Sequence, residues 1–234
     1  MKLKFIFTSF LFLVLVSCNS TSNSPEFIKK TTGRYLYNSD EIIEVYFKEI
    51  QLYLKWRGAN SIKPLQVGDN TYFVKEMNEK IQFLKNPINN IVYLVLVPKE
   101  ENDTIQYNFK KLNETEKIPS EYLLGNQFDK ALEGYLVIKQ KDSLDSAINE
   151  IDLNSLGYKK LRNKNFEDAI NIFKINMALH PESSNVYDSL GEAFMKNGDT
   201  INAIENYKKS LELDSGNNRA KRQIKKLEKK EVEN

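Results

Sequence analysis

The chain has 234 residues, with 34 Lys and Arg against 32 Asp and Glu, one His and one Cys. At 41% hydrophobic and 28% charged it has the composition of an ordinary globular protein, with room for one large domain or two small ones, and not that of a disordered chain. Two of the basic residues, Lys2 and Lys4, fall in a leader; without them 32 basic residues face 32 acidic ones, which removes the global electrostatic case for nucleic acid.

Residues 1–17 read as an export signal. Lys2 and Lys4 supply the positive start, and Phe5 to Val16 an apolar core too short for a comfortable membrane span. Leu15-Val16-Ser17-Cys18 then resembles the bacterial lipobox, in which small residues let the signal peptidase bind before a cysteine that becomes lipidated. The resemblance implies that Cys18 is the mature N-terminus, anchored by acyl chains that each gain about 0.8 kcal/mol per buried CH₂. Since Cys18 is the only cysteine, no disulfide is expected. Residues 18–32, rich in Ser, Asn and Thr at first, read as a lipidated tether. The residue after Cys18 is Asn, not the Asp that resembles an inner-membrane retention signal. That places the expected address in the cell envelope, on the outer membrane facing the periplasm.

Over 33–112 the apolar period changes to two. Ile43, Val45 and Phe47 alternate with polar residues, as do Ile50, Leu52, Leu54 and Trp56, and the phase flips at Lys48-Glu49, which predicts a tight hairpin turn there. Further runs at Ile62–Val67, Thr71–Glu76, Lys80–Lys85, Ile91–Val97 and Thr104–Lys110 are punctuated by Gly, Asn, Asp and Pro. About eight short strands suggest an antiparallel β-barrel or sandwich. Its large residues expected inward are Phe47, Trp56, Phe73, Phe83, Tyr107 and Phe109, enough to fill a small barrel.

Residues 113–125, charged and carrying Pro119, read as a linker. In 126–150, Phe128-x-x-Ala131-Leu132-x-x-Tyr135 echoes Phe166-x-x-Ala169-Ile170-x-x-Phe173, which suggests a degenerate half repeat. The segments 151–184 and 185–216 are then one helical hairpin written twice. A shift of 34 residues carries Leu156-Gly157 onto Leu190-Gly191, Ala169 onto Ala203, Phe173 onto Tyr207 and Leu179 onto Leu213. Small residues sit where paired helices must approach closely, and bulky ones (Tyr187, Leu190, Phe194, Tyr207, Leu211) fall at helical spacing along the seam. Asn197-Gly198-Asp199 closes the third helix of this set, because Gly takes a left-handed cap without strain. Lys160, Asn176, Ser210 and Ser215 depart from the pattern. Residues 217–234 form a basic capping helix and tail, with Arg219, Lys221, Arg222, Lys225, Lys226, Lys229 and Lys230 around Ile224 and Leu227. The fold class expected is therefore α+β, a β-domain followed by a helical array.

The 34-residue hairpins resemble the tetratricopeptide family. In that family the first helix of each repeat lines a concave binding face, which implies a partner groove of Asn154, Tyr158, Leu161, Arg162, Asp188, Glu192, Met195 and Lys196. The groove is mixed in charge and lacks the Lys/Asn pattern of repeats that clamp a C-terminal carboxylate. More weakly, Gly33-x-Tyr35, Ile43-Glu44-Val45, Leu52-Tyr53-Leu54, Phe73 and Lys80-Ile81-x-Phe83 resemble the lipocalin-like β-domain that follows beta-lactamase or penicillin-binding-type serine hydrolases. The run Asn185 to Ala193 resembles the repeat end of the same proteins. Their catalytic part is absent: no Ser is followed three residues on by Lys, and no Lys-Thr-Gly occurs.

His180, the one histidine, sits in an inter-repeat turn, so neither a triad nor a His/Cys metal site is expected. The reading is a non-enzymatic lipoprotein with no cofactor, docking an unidentified protein partner, which the resemblance extends to an envelope hydrolase. Two rival readings are a β-barrel that holds a small ligand, with the repeats serving oligomerisation, and an accessory subunit of a separate serine hydrolase.

Overall fold

The computed structural model describes residues 23–100 and 102–232, so the leader, the lipobox and Cys18 lie outside the described residues. Inside the segment read as tether there is a short helix, α1 (Pro25–Thr31). Ser24 caps it by accepting from the Phe27 amide at 3.1 Å, and Pro25 starts it, since its missing N–H would have had no helical partner. Phe27 meets Phe47 and Phe83 edge-on at 6.2 and 5.8 Å between ring centres. Asn23 is buried, bonded to the Tyr72 hydroxyl and the Ile50 carbonyl. The chain is thus docked from Asn23 onward.

The strands are β1 (Gly33–Asn38), β2 (Glu41–Lys48), β3 (Gln51–Trp56), β4 (Ala59–Ile62), β5 (Leu65–Gly68), β6 (Thr71–Val74), β7 (Glu79–Lys85), β8 (Val92–Leu96) and β9 (Phe109–Lys111). They form one nine-stranded sheet in the order β4-β3-β2-β1-β9-β8-β7-β6-β5. This corrects the expected barrel or sandwich of about eight strands: there is one sheet, and β4 and β5 are its two edges. The run Ile62–Val67, read as one strand, is broken between those edges at Lys63-Pro64. Proline has no N–H to give to a ladder, and it ends pairing where closure would have needed it. The α+β class itself fits the structure.

Alternation explains most of the sheet. The flip at Lys48-Glu49 is a two-residue turn with Lys48 opposite Gln51, and Glu49 takes a left-handed φ of 55°. Val45, Leu52, Leu54 and Trp56 are buried as expected, but Ile50 lies in the turn and is 54% exposed. In β6 the buried residues are Tyr72 and Val74, so Phe73 points to the other face and not inward. Of the run Thr104–Lys110 only its end is strand, beginning at Phe109, and Tyr107 precedes it half-buried.

By contacts the chain divides into two units: residues 23–33 with 44–107, and residues 34–43 with 108–232. In the second unit β1 pairs antiparallel with β9, Tyr35 opposite Lys111. The stretch read as linker carries a helix, α2 (Pro119–Leu124), held by side chains from the first strand and the turn after it. Arg34 donates to the Glu116 carbonyl at 2.7 Å and pairs with Glu121. Asp40 accepts from the Ser120 amide at 2.7 Å and from the Tyr135 hydroxyl at 2.9 Å.

The helical array follows as α3 (Phe128–Lys141), a 3-10 turn (Ser146–Ile148), α4 (Glu150–Arg162), α5 (Phe166–Leu179), α6 (Ser184–Asn197), α7 (Thr200–Leu213) and α8 (Asn218–Val232). α4, α6 and α8 begin 34 residues apart, as do α5 and α7. α8 therefore stands where the first helix of another hairpin would. The array has two adjoining cores, one around Tyr135, Ile148 and Ile172, the other around Phe173, Leu190, Phe194 and Tyr207.

Candidate functional site

The two hairpin seams show why the sequence folds this way locally. A Cβ at Gly157 would lie 2.4 Å from Cε1 of Phe173, and one at Gly191 would lie 3.0 Å from Cδ1 of Tyr207. Each glycine admits the ring of its partner helix, and the two rings are the 34-residue equivalents. The departures from the repeat pattern have local partners. Lys160 pairs with Asp168 at 2.6 Å across the first hairpin. Buried Asn176 donates to the Glu150 carbonyl at 3.0 Å, and buried Ser210 accepts from Asn217 at 3.0 Å, so both polar groups tie helix starts to the array. His180 Nε2 lies 2.8 Å from the Ile148 carbonyl, a structural contact in a turn.

With the seams set, α4 and α6 share a face. The proof is a direct bond: the Tyr158 hydroxyl donates to Glu192 Oε2 at 3.1 Å. Tyr158, Leu161 and Met195 are half-buried and lean on the second core, with the Tyr158 ring edge-on to Phe173 at 5.3 Å. Arg162 and Lys196 are exposed. Asn154 is half-buried, and its Oδ1 is a fully buried acceptor with no donor among the described residues.

Asp188 and Glu192 have a different status from the open-groove residues that the repeat register implies. Arg219, from the start of α8, lays one guanidinium nitrogen on Asp188 and another on Glu192. Asn217 adds a bond to Asp188 at 3.1 Å, and the Arg219 guanidinium stands 5.9 Å from the centre of the Tyr207 ring. Burial works against the charge of Arg219, but Asp188 and Glu192 outweigh it and hold the guanidinium more firmly protonated. The hydroxyl of Tyr158 is pushed up, first by burial and then by the nearby Glu192, so it stays a donor at neutral pH. The acidic pair on α6 is thus filled by the chain itself. Sequence spacing had marked Asp188 and Glu192 but not Arg219, which was one of seven basic residues on its helix.

A second depression was not signalled by the repeat pattern. Between α5, α6 and α7 runs a trough of about 1000 Å³ whose lining includes Met177, Leu190, Phe194, Asn206 and Lys209. Lys174 stands over the Phe194 ring there, 5.7 Å from its centre. Among the described residues no cluster of three or more His, Cys, Asp or Glu could hold a metal ion, and no helix is long and apolar enough to cross a membrane.

No protein-family model matches the chain, and no curated protein matches it. Solved structures resemble its helical part. The first TPR domain of Spaghetti (RPAP3) bound to an HSP90 peptide is 20% identical, covering 49% of this chain and 87% of that one, with a TM-score of 0.36. The Sgt2 TPR domain from Aspergillus fumigatus is 20% identical over 49% of this chain and 75% of its own, with a TM-score of 0.36. MamA is 21% identical over 50% of this chain and 67% of its own, with a TM-score of 0.35. Likeness of this size assigns neither a family nor a partner to this chain.

Proposed function

We propose that the chain is a non-catalytic protein-interaction module, built on tetratricopeptide-type hairpins and held at a membrane by a lipid on Cys18. The observation that carries the docking part is the shared face of α4 and α6, bridged by Tyr158 and Glu192. The 34-residue period that relates Tyr158 to Glu192 also relates Asn154 to Asp188, Leu161 to Met195 and Arg162 to Lys196. Of these, Arg162 and Lys196 remain available to a partner chain, since Asp188 and Glu192 are satisfied by Arg219. The partner is a protein, and an envelope hydrolase is the class that the sequence resemblance suggests.

The docking test is photo-crosslinking from positions 162 and 196 in the cell, with position 205 on α7 as the comparison. Adducts from 162 and 196 that are absent from 205 support the face. Adducts of equal yield from all three positions sink it. The anchor is tested separately by Cys18→Ala, which should move the protein out of the membrane fraction and abolish fatty-acid labelling.

A further inference from the structure

α8 carries more than its place as a cap requires. Its apolar residues Ala220, Ile224 and Leu227 pack into the second core, and Arg219 is clamped on Asp188 and Glu192, so its rotation about its own axis is set. At 3.6 residues per turn those apolar residues lie together on one side, and Lys221, Arg222, Lys225, Lys226 and Lys229 sweep an arc of about 140° on the opposite side. All five are exposed. The strip runs about 12 Å along the helix. Glu228, which flanks the strip beside Lys221, is taken by Lys208 of α7 at 3.1 Å. Lys221, Arg222, Lys225 and Lys226 have no ion-pair partner among the described residues. In a chain otherwise balanced in charge, this is a concentrated cationic face on a helix that cannot turn it inward.

We propose that this face of α8 binds the anionic headgroups of a phospholipid surface, as a second, electrostatic attachment beside the Cys18 lipid. It rests on the membrane-anchored reading above. A basic strip on a helix of fixed rotation presents several ammonium and guanidinium groups to one plane, which suits a layer of phosphates. Because the apolar side of α8 is committed to the core, the contact is one of charge, without insertion, and it must weaken steeply with salt. Nucleic acid is disfavoured by the absence of an aromatic side chain on the strip for base stacking, and by the lack of a net positive field.

The experiment uses the full chain and vesicles of phosphatidylcholine alone or with roughly one-third phosphatidylglycerol, at about 50 and about 500 mM salt. The readout is the ratio of binding to anionic over neutral vesicles, which cancels any apolar contribution from the leader. The parent should show a ratio of roughly ten or more at low salt, falling toward one at high salt. Lys221→Glu, Arg222→Glu, Lys225→Glu and Lys226→Glu together should bring it near one at both, with the thermal midpoint kept. Should the reversal unfold the chain, the same four positions changed to Gln provide the measurement. A parent ratio near one overturns the proposal, as does a folded variant that keeps the parent ratio. Duplex DNA that strips the protein from anionic vesicles at equal phosphate concentration would also overturn it, by showing a general polyanion site. A failed Cys18→Ala fractionation would leave this ratio intact, so the two readings fail separately.

Discussion

The hairpins α4–α5 and α6–α7 are written in the same 34-residue pattern, yet they are secured by different physics. The first closes on shape. Gly157 lies against the Phe173 ring so tightly that a Cβ would fall 2.4 Å from it, and Tyr158 packs edge-on against the same ring. The second closes more loosely on Tyr207, with 3.0 Å available, and is secured instead by charge, through Arg219 on Asp188 and Glu192. On the side that leads into the first hairpin, the comparable clasp is Asp40, a half-buried carboxylate that accepts from Ser120 and Tyr135 without a cationic partner among its described contacts. Repetition in sequence therefore specifies the helices and their seam, while each copy finds its own lock.

The largest effect expected from this contrast is at the glycines. Gly157→Ala should destabilise the array by about 1–3 kcal/mol, because the Phe173 ring is enclosed and has to move. Gly191→Ala should fall within about 1 kcal/mol of the parent, since the better helix propensity of Ala offsets a milder contact. Urea unfolding of both variants compares them directly, and equal losses would break the distinction.

Next in size is Arg219→Met. It leaves Asp188 and Glu192 without their cation, and the half-exposed setting limits the loss to about 1–2 kcal/mol. Adding Asp188→Asn and Glu192→Gln should restore part of that stability. If the triple variant is no better than Arg219→Met alone, charge is not what secures the second hairpin.

The Asp40 clasp should show itself through pH. Burial raises its carboxyl above the ordinary value, against the hydrogen bonds from Ser120 and Tyr135, which lower it. The folded protein therefore holds the proton more tightly than the unfolded chain. The stability from this group is complete below the ordinary carboxylate range and is lost as pH rises through the raised folded value. Asp40→Asn should flatten that segment of the curve of thermal midpoint against pH. A curve of unchanged slope would remove Asp40 from the comparison.

Smallest of all, Arg162→Glu with Lys196→Glu should change stability by no more than about 0.5 kcal/mol, since both side chains are exposed. A larger loss would mean that the face of α4 and α6 is structural and not a docking surface.

Periodic features were legible in the chain because they depend on neighbours. The 34-residue spacing, the seam glycines, the left-handed cap at Gly198 and the β2–β3 turn all follow from side-chain size and backbone preference within a few residues. The alternation in β3 was readable for the same reason, and Phe73 was misassigned because one residue of register moves a side chain to the opposite face. That Asp188 and Glu192 are filled by Arg219 was not legible, since the ion pairs join residues 27 or more positions apart.

Sequence alone determined the α+β class, the hairpin helices α4 to α7 and their pairing, and which glycines must stay small, since periodicity and sterics are local. Tertiary structure alone decided that the sheet stays open between β4 and β5, that Asn23 to Thr31 is docked, and that β1 and the turn after it hold α2. It also chose Arg219 from seven basic residues on one helix to fill the acidic pair on α6. Those outcomes depend on contacts between residues far apart in the chain. Many charges and many strand edges are equally suited to such contacts until packing brings one pair together and excludes the rest.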